Sequence, residues 1–281
     1  MRVLVVGASG MCGRRIVVRG AARGYTMIGP PRHELDVRDP TQALARIAAS
    51  EPDLVINAAA LTHVDDAETL HDAAFAVNAA GAGHLASACA VLGIPMLQLS
   101  TDYVFDGTAD RPYREDDPTG AIGEYGASKE AGERLVLCAG GTVVRTSWLF
   151  APNGHGFVQR ILAGLSGAQP IKVVTDRHGR PTWADDLADA LLDLKALGVR
   201  GGILHYAGDG ATSRYGFACA IAEAAGIDPA RVIATISADY PTLAARPGAT
   251  VLDTTKIAAL GIVPRAWTHG LALTVAEELG R

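Results

Sequence analysis

The sequence predicts a doubly wound α/β fold, a parallel sheet covered by helices on both faces, with a smaller C-terminal lobe attached. Three observations carry this. Short β-branched runs alternate with alanine- and leucine-rich stretches through the first half of the chain, the rhythm of strands joined by crossover helices. A glycine-rich turn follows the first of these runs directly and opens the first helical stretch. After about Leu149 the rhythm becomes irregular, with Gly and Pro punctuating shorter elements.

The expected strands are Val3 to Val6, Tyr25 to Ile28, Leu54 to Ile56, Met96 to Leu99 and Val143 to Val144. Between them, Ile16 to Ala22, Ala43 to Ala49 and Ala73 to Leu92 have the composition of helices. In the second half, Thr182 is placed to cap a helix whose first turn carries Asp185 and Asp186, with Trp183, Leu187, Leu191 and Leu194 on one face. Ser213 is placed to cap a further helix over Tyr215 to Ala225, and a last one is expected after Thr268, with Leu271, Val275 and Leu279 as its apolar side. No repeat or flexible linker separates the halves, so they are expected to pack together.

A chain of 281 residues, 49% of them hydrophobic, can bury a substantial core. The net charge of -5 supplies no broad basic field for nucleic acid. The N-terminus reads as a strand rather than a secretory signal, and no apolar run is expected to reach the about 18 residues of a membrane helix, so a cytoplasmic protein without membrane or nucleic-acid partners is expected. Cys12, Cys89, Cys138 and Cys219 are scattered and form neither a zinc knuckle nor a disulfide framework. They read as small buried thiols.

Gly7-Ala8-Ser9-Gly10-Met11-Cys12-Gly13 joins the first strand to the first helix, where free backbone N–H groups and the helix dipole attract a pyrophosphate. This is the Rossmann-type arrangement, and Gly7, Ser9, Gly10, Met11 and Gly13 are the expected cofactor contacts. Glycine also serves tight turns that hold no ligand, so the order strand, turn, helix carries the reading. An acid commonly ends the second strand of NAD-selective proteins, whereas Ile28-Gly29-Pro30-Pro31-Arg32 stands here. Arg32 is suited to a 2′-phosphate, which favours NADPH over NADH, or else is a solvated loop arginine. Asp36 and Val37 are placed to meet the adenine, and Ala58, Ala59 and Ala60 follow Asn57 where the cofactor must pass close. The expected dinucleotide-binding domain covers residues 1–149, with a segment at about 179–205 returning to it, and residues 150–281 form mainly a substrate-binding lobe.

Tyr125 and Lys129 stand four residues apart, on one face if the segment is helical. A phenol with a reference pKa of about 10 is a poor acid or base at neutral pH unless a nearby cation stabilises its anion. Lys129 is the expected cation. Both also border the expected cofactor site. Thr101, at the end of the fourth predicted strand, is the candidate hydroxyl for a substrate carbonyl, since ligands sit at strand ends of open α/β sheets. Together they suit reduction of a ketone, with Tyr125 giving a proton to the developing alkoxide. No His-Glu-x-x-His or Gly-x-Ser-x-Gly pattern is present. His63, His178 and His205 either line the pocket or are structural.

With these residues assembled, the chain resembles the dTDP-4-dehydrorhamnose reductase family of extended short-chain dehydrogenases/reductases over nearly its whole length. The resemblance rests on Gly7 to Gly13, Asn57 to Ala60, Val64-Asp65-Asp66-Ala67-Glu68, Val77-Asn78-Ala79, Ser100 to Phe105, Tyr125 to Lys129, Arg145 to Trp148, Gly179 to Thr182, Arg246-Pro247 and Leu252-Asp253. It implies that Thr101, Tyr125 and Lys129 are the catalytic triad, that Asp102, Tyr103 and Trp148 meet the sugar, and that Arg246 approaches the nucleotide diphosphate. The implied activity is NAD(P)H-dependent reduction of the 4-keto group of dTDP-4-dehydro-L-rhamnose. Some members form magnesium-linked homodimers, but no metal ligands are identified in this sequence. Two stretches depart from the family's pattern: His155-Gly156-Phe157, where Asn-Phe is common, and Gly248-Ala249-Thr250 after Arg246-Pro247. Both lie in the substrate lobe, so a related keto-deoxysugar stays open. So do an epimerase or dehydratase of the same fold, although Tyr103 stands where dehydratases carry an acid, and a non-catalytic NADP-binding regulatory subunit.

Overall fold

The central strands of the main sheet are buried on both sides, and their alternating side chains divide the interior into two layers. The computed structural model describes all residues from Met1 to Arg281. The first half runs β1 (Arg2–Val6), α1 (Met11–Ala22), β2 (Thr26–Ile28), α2 (Pro40–Ser50), β3 (Leu54–Asn57), α3 (Val64–Thr69), α4 (His71–Phe75), a wide π turn at Ala76–Ala80, α5 (Gly81–Leu92), β4 (Met96–Thr101), α6 (Glu124–Cys138) and β5 (Thr142–Thr146). The second half runs β6 (Leu149–Phe150), α7 (Phe157–Ser166), β7 (Ile171–Val174), β8 (His178–Gly179), β9 (Thr182–Trp183), α8 (Ala184–Ala196), β10 (Ile203–His205), β11 (Thr212–Ser213), α9 (Arg214–Ala225), β12 (Val232–Thr235), α10 (Thr255–Ala258) and α11 (Trp267–Glu278).

The main sheet has the order β2-β1-β3-β4-β5-β10, all parallel. Val3, Val5, Leu54, Ile56, Leu97 and Leu99 face one way, onto α1 and α8; Leu4, Val6, Val55, Met96 and Val143 face the other, onto α2, α5 and α6. Each such side chain contributes on the order of 1.5–3 kcal/mol by leaving water. The chain turns back between β1 and β3, and a doubly wound sheet opens its ligand crevice at that switch point. A separate core, centred on Phe217 and walled by Phe150, Trp183, Trp267 and Leu271, holds the second lobe together.

Helix α8 returns to the first half and lies along α1. Arg15 and Arg19 on α1 and Arg23 at its C-terminal cap recur every four residues and meet Asp185, Asp189 and Asp193 at the same spacing on α8. Asp185 is nearly buried, so its pair with Arg15 is screened less than the outer rungs.

Several sequence expectations need correction. β2 begins at Thr26 rather than Tyr25, and β10 at the sheet edge is an additional strand. Thr182 does not cap α8: Trp183 holds the cap position without a side-chain bond, and the Thr182 hydroxyl accepts from the Gly208 N–H at 3.3 Å. Ser213 does cap α9, accepting from the Gly216 N–H at 2.9 Å. The last helix begins at Trp267, one residue before Thr268, and Leu279 falls past its end, exposed. The helical stretch His71–Leu92 is 22 residues long and apolar enough by composition to cross a bilayer, contrary to expectation, but half of its most apolar window is buried in the protein.

Replacing Asp189 with Ala removes the carboxylate shared by Arg19 and Arg23. We expect a cost of about 1 kcal/mol and a fall in Tm of about 2–4 °C. Thermal melts at low and high salt should show the difference shrinking as salt screens the pair.

Candidate active site

The crevice at the switch point is built by backbones that touch. Gly7 has φ +78°, and a Cβ there would lie 2.6 Å from the Ala59 nitrogen; one on Gly13 would lie 2.1 Å from the Gly7 oxygen. These two glycines are required by packing alone. Gly10 differs: a Cβ on it would meet only the Gly7 oxygen, at 3.3 Å, and Gly10 lines the cavity. Gly10 is also the N-cap of α1 with no side-chain cap bond, so the first N–H groups of that helix are left without a side-chain partner.

This cavity, of about 400 Å³, gathers Gly10, Met11, Ala58 and Ala60 on one wall and Thr101, Asp102, Tyr103, Tyr125, Lys129 and Trp148 on the other. The buried Ser100 Oγ and Thr146 Oγ1 in the same cavity have no hydrogen-bond partner. Orphaned hydroxyls beside an uncapped helix end and an open glycine fit a polar ligand with phosphate and ribose groups. Gly7, Gly13 and Ala59 do not line it; Gly7 packs against Ala59, and Gly13 against Gly7. Ser9, Arg32 and Asp36 lie outside the cavity: Ser9 is exposed on the turn, Arg32 is 72% exposed, and its Nε stands 3.7 Å from Asp36. Val37 is buried, and Asp36 is held by a second arginine that the sequence reading did not single out, Arg38, whose Nε donates at 2.9 Å. That guanidinium holds the Asp36 carboxyl well below the usual carboxylate range.

Tyr125 and Lys129 sit on α6, whose start rests on the backbone at the end of β4. A Cβ on Gly126 would lie 2.1 Å from the Tyr103 oxygen, so only glycine lets the helix come this near. The Tyr125 and Tyr103 rings meet edge-on at 5.9 Å. Lys129 Nζ donates to the Leu99 carbonyl at 2.8 Å, leaving two of its three N–H groups for the cavity. Burial lowers the Lys129 ammonium to about 8, against the opposing pull of Glu133. Burial raises the Tyr125 phenol well above its ordinary value, while the Thr101 hydroxyl pulls it down. Burial is thus the largest influence on the phenol in the chain alone, and Lys129 is not among the groups that shift it.

Thr101 Oγ1 donates to Asp102 at 3.1 Å and accepts the Tyr103 N–H at 3.1 Å, which leaves one lone pair. Asp102 also accepts from Thr250, and burial raises its carboxyl to about 6. Thr250 was noted in the sequence only as a departure from the family pattern, and nothing in its neighbours announced this contact. Trp148 holds φ +46°, a left-handed conformation rare for a bulky residue and frequent where strain serves a site. Its indole lies against Gly179, where a Cβ would be 2.5 Å away, and beneath the Arg214 guanidinium at 3.7 Å from the ring centroid. Arg214 also escaped the sequence reading, since it follows a helix cap and reads as an ordinary first-turn residue.

A second cavity, of about 470 Å³, shares Tyr103, Trp148 and Arg214 with the first and holds Arg160, Lys172, Arg177 and Arg246. Arg246 is held in turn by Asp65, its Nη2 donating at 2.7 Å. Of the histidines considered, His178 lines this second cavity. His63 is 81% exposed at neither cavity, and His205 is fully buried beside Arg145, its imidazole pushed down to about 3 by burial.

A glycine turn at a parallel-sheet switch point, facing a strand-end threonine and a Tyr/Lys pair on one helix, defines an oxidoreductase of the extended short-chain dehydrogenase/reductase class. The sequence profile described as the RmlD substrate binding domain matches residues 1–279. A dTDP-4-dehydrorhamnose reductase of Streptomyces griseus is 41% identical over 100% of this chain and 95% of its own length. Among solved structures, a dTDP-4-dehydrorhamnose reductase of Clostridium acetobutylicum superposes with a TM-score of 0.94 at 32% identity, covering 100% of both chains. The Bacillus anthracis reductase in complex with NADP superposes with a TM-score of 0.93 at 30% identity, covering 98% of this chain and 99% of that one. The chain belongs to the RmlD family of dTDP-4-dehydrorhamnose reductases.

Because the Lys129 ammonium titrates near pH 8 in the chain alone, turnover should fall as pH rises through and beyond about 8, when the neutral amine replaces the cation. A pH–rate profile of kcat checks this, and Lys129→Arg should move the fall to higher pH.

Proposed function

We propose that this chain reduces the 4-keto group of dTDP-4-dehydro-L-rhamnose to give dTDP-L-rhamnose, with NADPH as the reductant. The single observation that carries the reading is the junction of the two cavities. A cradle that fits a dinucleotide and holds Tyr125 opens past Tyr103, Trp148 and Arg214 into a basic pocket that fits a nucleotide diphosphate. When bound, NADPH supplies the hydride that reaches the carbonyl carbon.

The chain's own residues would supply the rest. Met11 and Gly10 would present the α1 N-terminus to the pyrophosphate, with Gly7, Ser9 and Gly13 shaping that turn and Ala58, Ala59 and Ala60 allowing close passage. Asp36 and Val37 would border the adenine, and Arg32, with Arg38 beside it, would meet the 2′-phosphate. Lys129 would hold ribose hydroxyls with its two free N–H groups. Tyr125 would deliver its phenolic proton to the alkoxide as the carbonyl carbon gains hydride, so that the ketone becomes a secondary alcohol. Once Asp102 accepts from Thr250 alone, Thr101 can turn its O–H toward the carbonyl oxygen and help to hold it. Asp102 and Tyr103 would meet the sugar, and Trp148 would stack over it. Arg246 would bind the diphosphate, whose charge Arg160, Lys172, Arg177 and Arg214 would help to balance.

In this reading, residues 1–149 with 179–205 form the dinucleotide-binding domain and the remainder of 150–281 the substrate lobe. The enzyme works in the cytoplasm on a small-molecule nucleotide sugar, without nucleic acid or membrane. No three His, Cys, Asp or Glu side chains converge within a single chain to hold an ion, and the reading keeps magnesium and a homodimer as alternatives that no step of the chemistry above requires.

Loss of nicotinamide absorbance on mixing the protein with NADPH and dTDP-4-dehydrorhamnose tests the proposal, and no consumption would defeat it. Tyr125→Phe should lower turnover by at least about 100-fold with cofactor affinity little changed. Arg32→Ala should weaken NADPH more than NADH; an equal loss for both would remove its phosphate role.

A further inference from the structure

The Val64–Glu68 motif, which served only as a family marker in the sequence, connects both cavities. Val64 lines the first. Asp65 Oδ1 accepts from Arg246 Nη1 at 3.0 Å and from the Ala244 N–H at 3.0 Å, while Oδ2 accepts from Arg246 Nη2 at 2.7 Å. One turn on, Glu68 Oε1 accepts the N–H of Glu124 at 2.9 Å. Glu124 is the first residue of α6 and the immediate neighbour of Tyr125, and the cap residue Gly123 has no side chain to satisfy that end. Three residues apart on α3, the two acids share one face.

We infer that Asp65 and Glu68 are positioning residues, by which one turn of α3 sets the spacing between the Arg246 guanidinium in the second cavity and the Tyr125 phenol in the first. Hydrogen-bond accounting supports the Arg246 half. A guanidinium has five N–H groups. Asp65 takes one from each terminal nitrogen, and the Ala244 carbonyl takes the other Nη1 hydrogen at 3.2 Å. The Nε–H and the second Nη2–H remain, and these form the side-on fork that matches two phosphate oxygens. Asp65 thus holds Arg246 by one corner and leaves the phosphate-binding edge free.

Packing supports the Tyr125 half. A Cβ on Gly123 would stand 2.9 Å from Glu68 Oε1 and 3.3 Å from the Ala245 carbonyl, so α3, the segment before Arg246 and the start of α6 meet at one point. A substrate gripped at its diphosphate and protonated at its sugar needs that separation fixed, because misplacement by about 1 Å can cost on the order of 100-fold in rate. The inference rests on the proposed diphosphate site in the second cavity.

The test separates binding from turnover in the full-length enzyme with NADPH. Asp65→Ala should raise the KM of the nucleotide sugar and weaken inhibition by dTDP by on the order of 10-fold, with kcat within about 2-fold and thymidine binding unchanged. Glu68→Ala should lower kcat by on the order of 10-fold with KM within about 2-fold. Glu68→Gln should restore it, because the amide oxygen still accepts the Glu124 N–H. Asp65→Asn, which keeps one accepting oxygen, should fall between wild type and Asp65→Ala. Loss of kcat and KM in the same proportion in both Ala variants, equal loss of dTDP and thymidine binding in Asp65→Ala, or no change in either variant would overturn the inference. If wild type consumed no NADPH, the proposed reaction would fail, while the dTDP–thymidine contrast in Asp65→Ala would still decide the role of Asp65.

Discussion

Helix α6 has no room to move, and the site depends on that. Its Gly126 lies against the Tyr103 carbonyl, and a Cβ on Gly132 would come within 2.1 Å of the Asn78 oxygen in the π turn. Asn78 is itself fixed, its side chain bonding both backbone groups of Leu61 and donating to Ser128 on α6. Between these anchors, Tyr125 and Lys129 face the end of β4 with their separation from Thr101 set by backbone contacts rather than by adaptable side chains. Preorganisation of this kind lets a donor and a hydroxyl meet a carbonyl oxygen without rearranging at the moment of reaction.

Behind Lys129 lies a second constraint. Glu133, one turn further along α6, forms a two-pronged pair with Arg145 on β5, both side chains only 3% exposed. A buried pair of this kind adds little net stability, since desolvation offsets most of the attraction, yet loss of either member leaves an uncompensated charge. Glu133 also favours the ammonium form of Lys129 against burial. Arg145 lies 5.0 Å over the Phe105 ring, which joins this charge network to the segment following Thr101. The protein thus places a partnered charge where an apolar core would leave Lys129 to lose its proton more readily.

Much of the first half could be read from the sequence because its signals are local. The β-branched runs recur as β1, β3, β4 and β5, and the order strand, glycine turn, helix is the crevice itself. The Tyr125–Lys129 spacing becomes one helix face because four residues are nearly one turn. What escaped depends on contacts distant in the chain. Thr250 reaches Asp102 across 148 positions and Arg246 reaches Asp65 across 181, and neither residue type announces a partner. Arg214 matters through the face of Trp148, which depends in turn on Gly179. Thr182 misled because a hydroxyl before a helix suits a cap, but its oxygen is claimed by Gly208 from a neighbouring segment.

The return of α8 to α1 has a consequence for how the chain comes into being. Leu187, Leu191 and Leu194 complete the same interior layer as Val3, Val5 and Ile16. A growing polypeptide that has just emerged through β5 would carry that face of the sheet covered by α1 alone, its arginine rungs unmatched. Closure of the first half waits for α8, made some forty to fifty positions later, so that half cannot reach its native form until part of the second lobe has also been made.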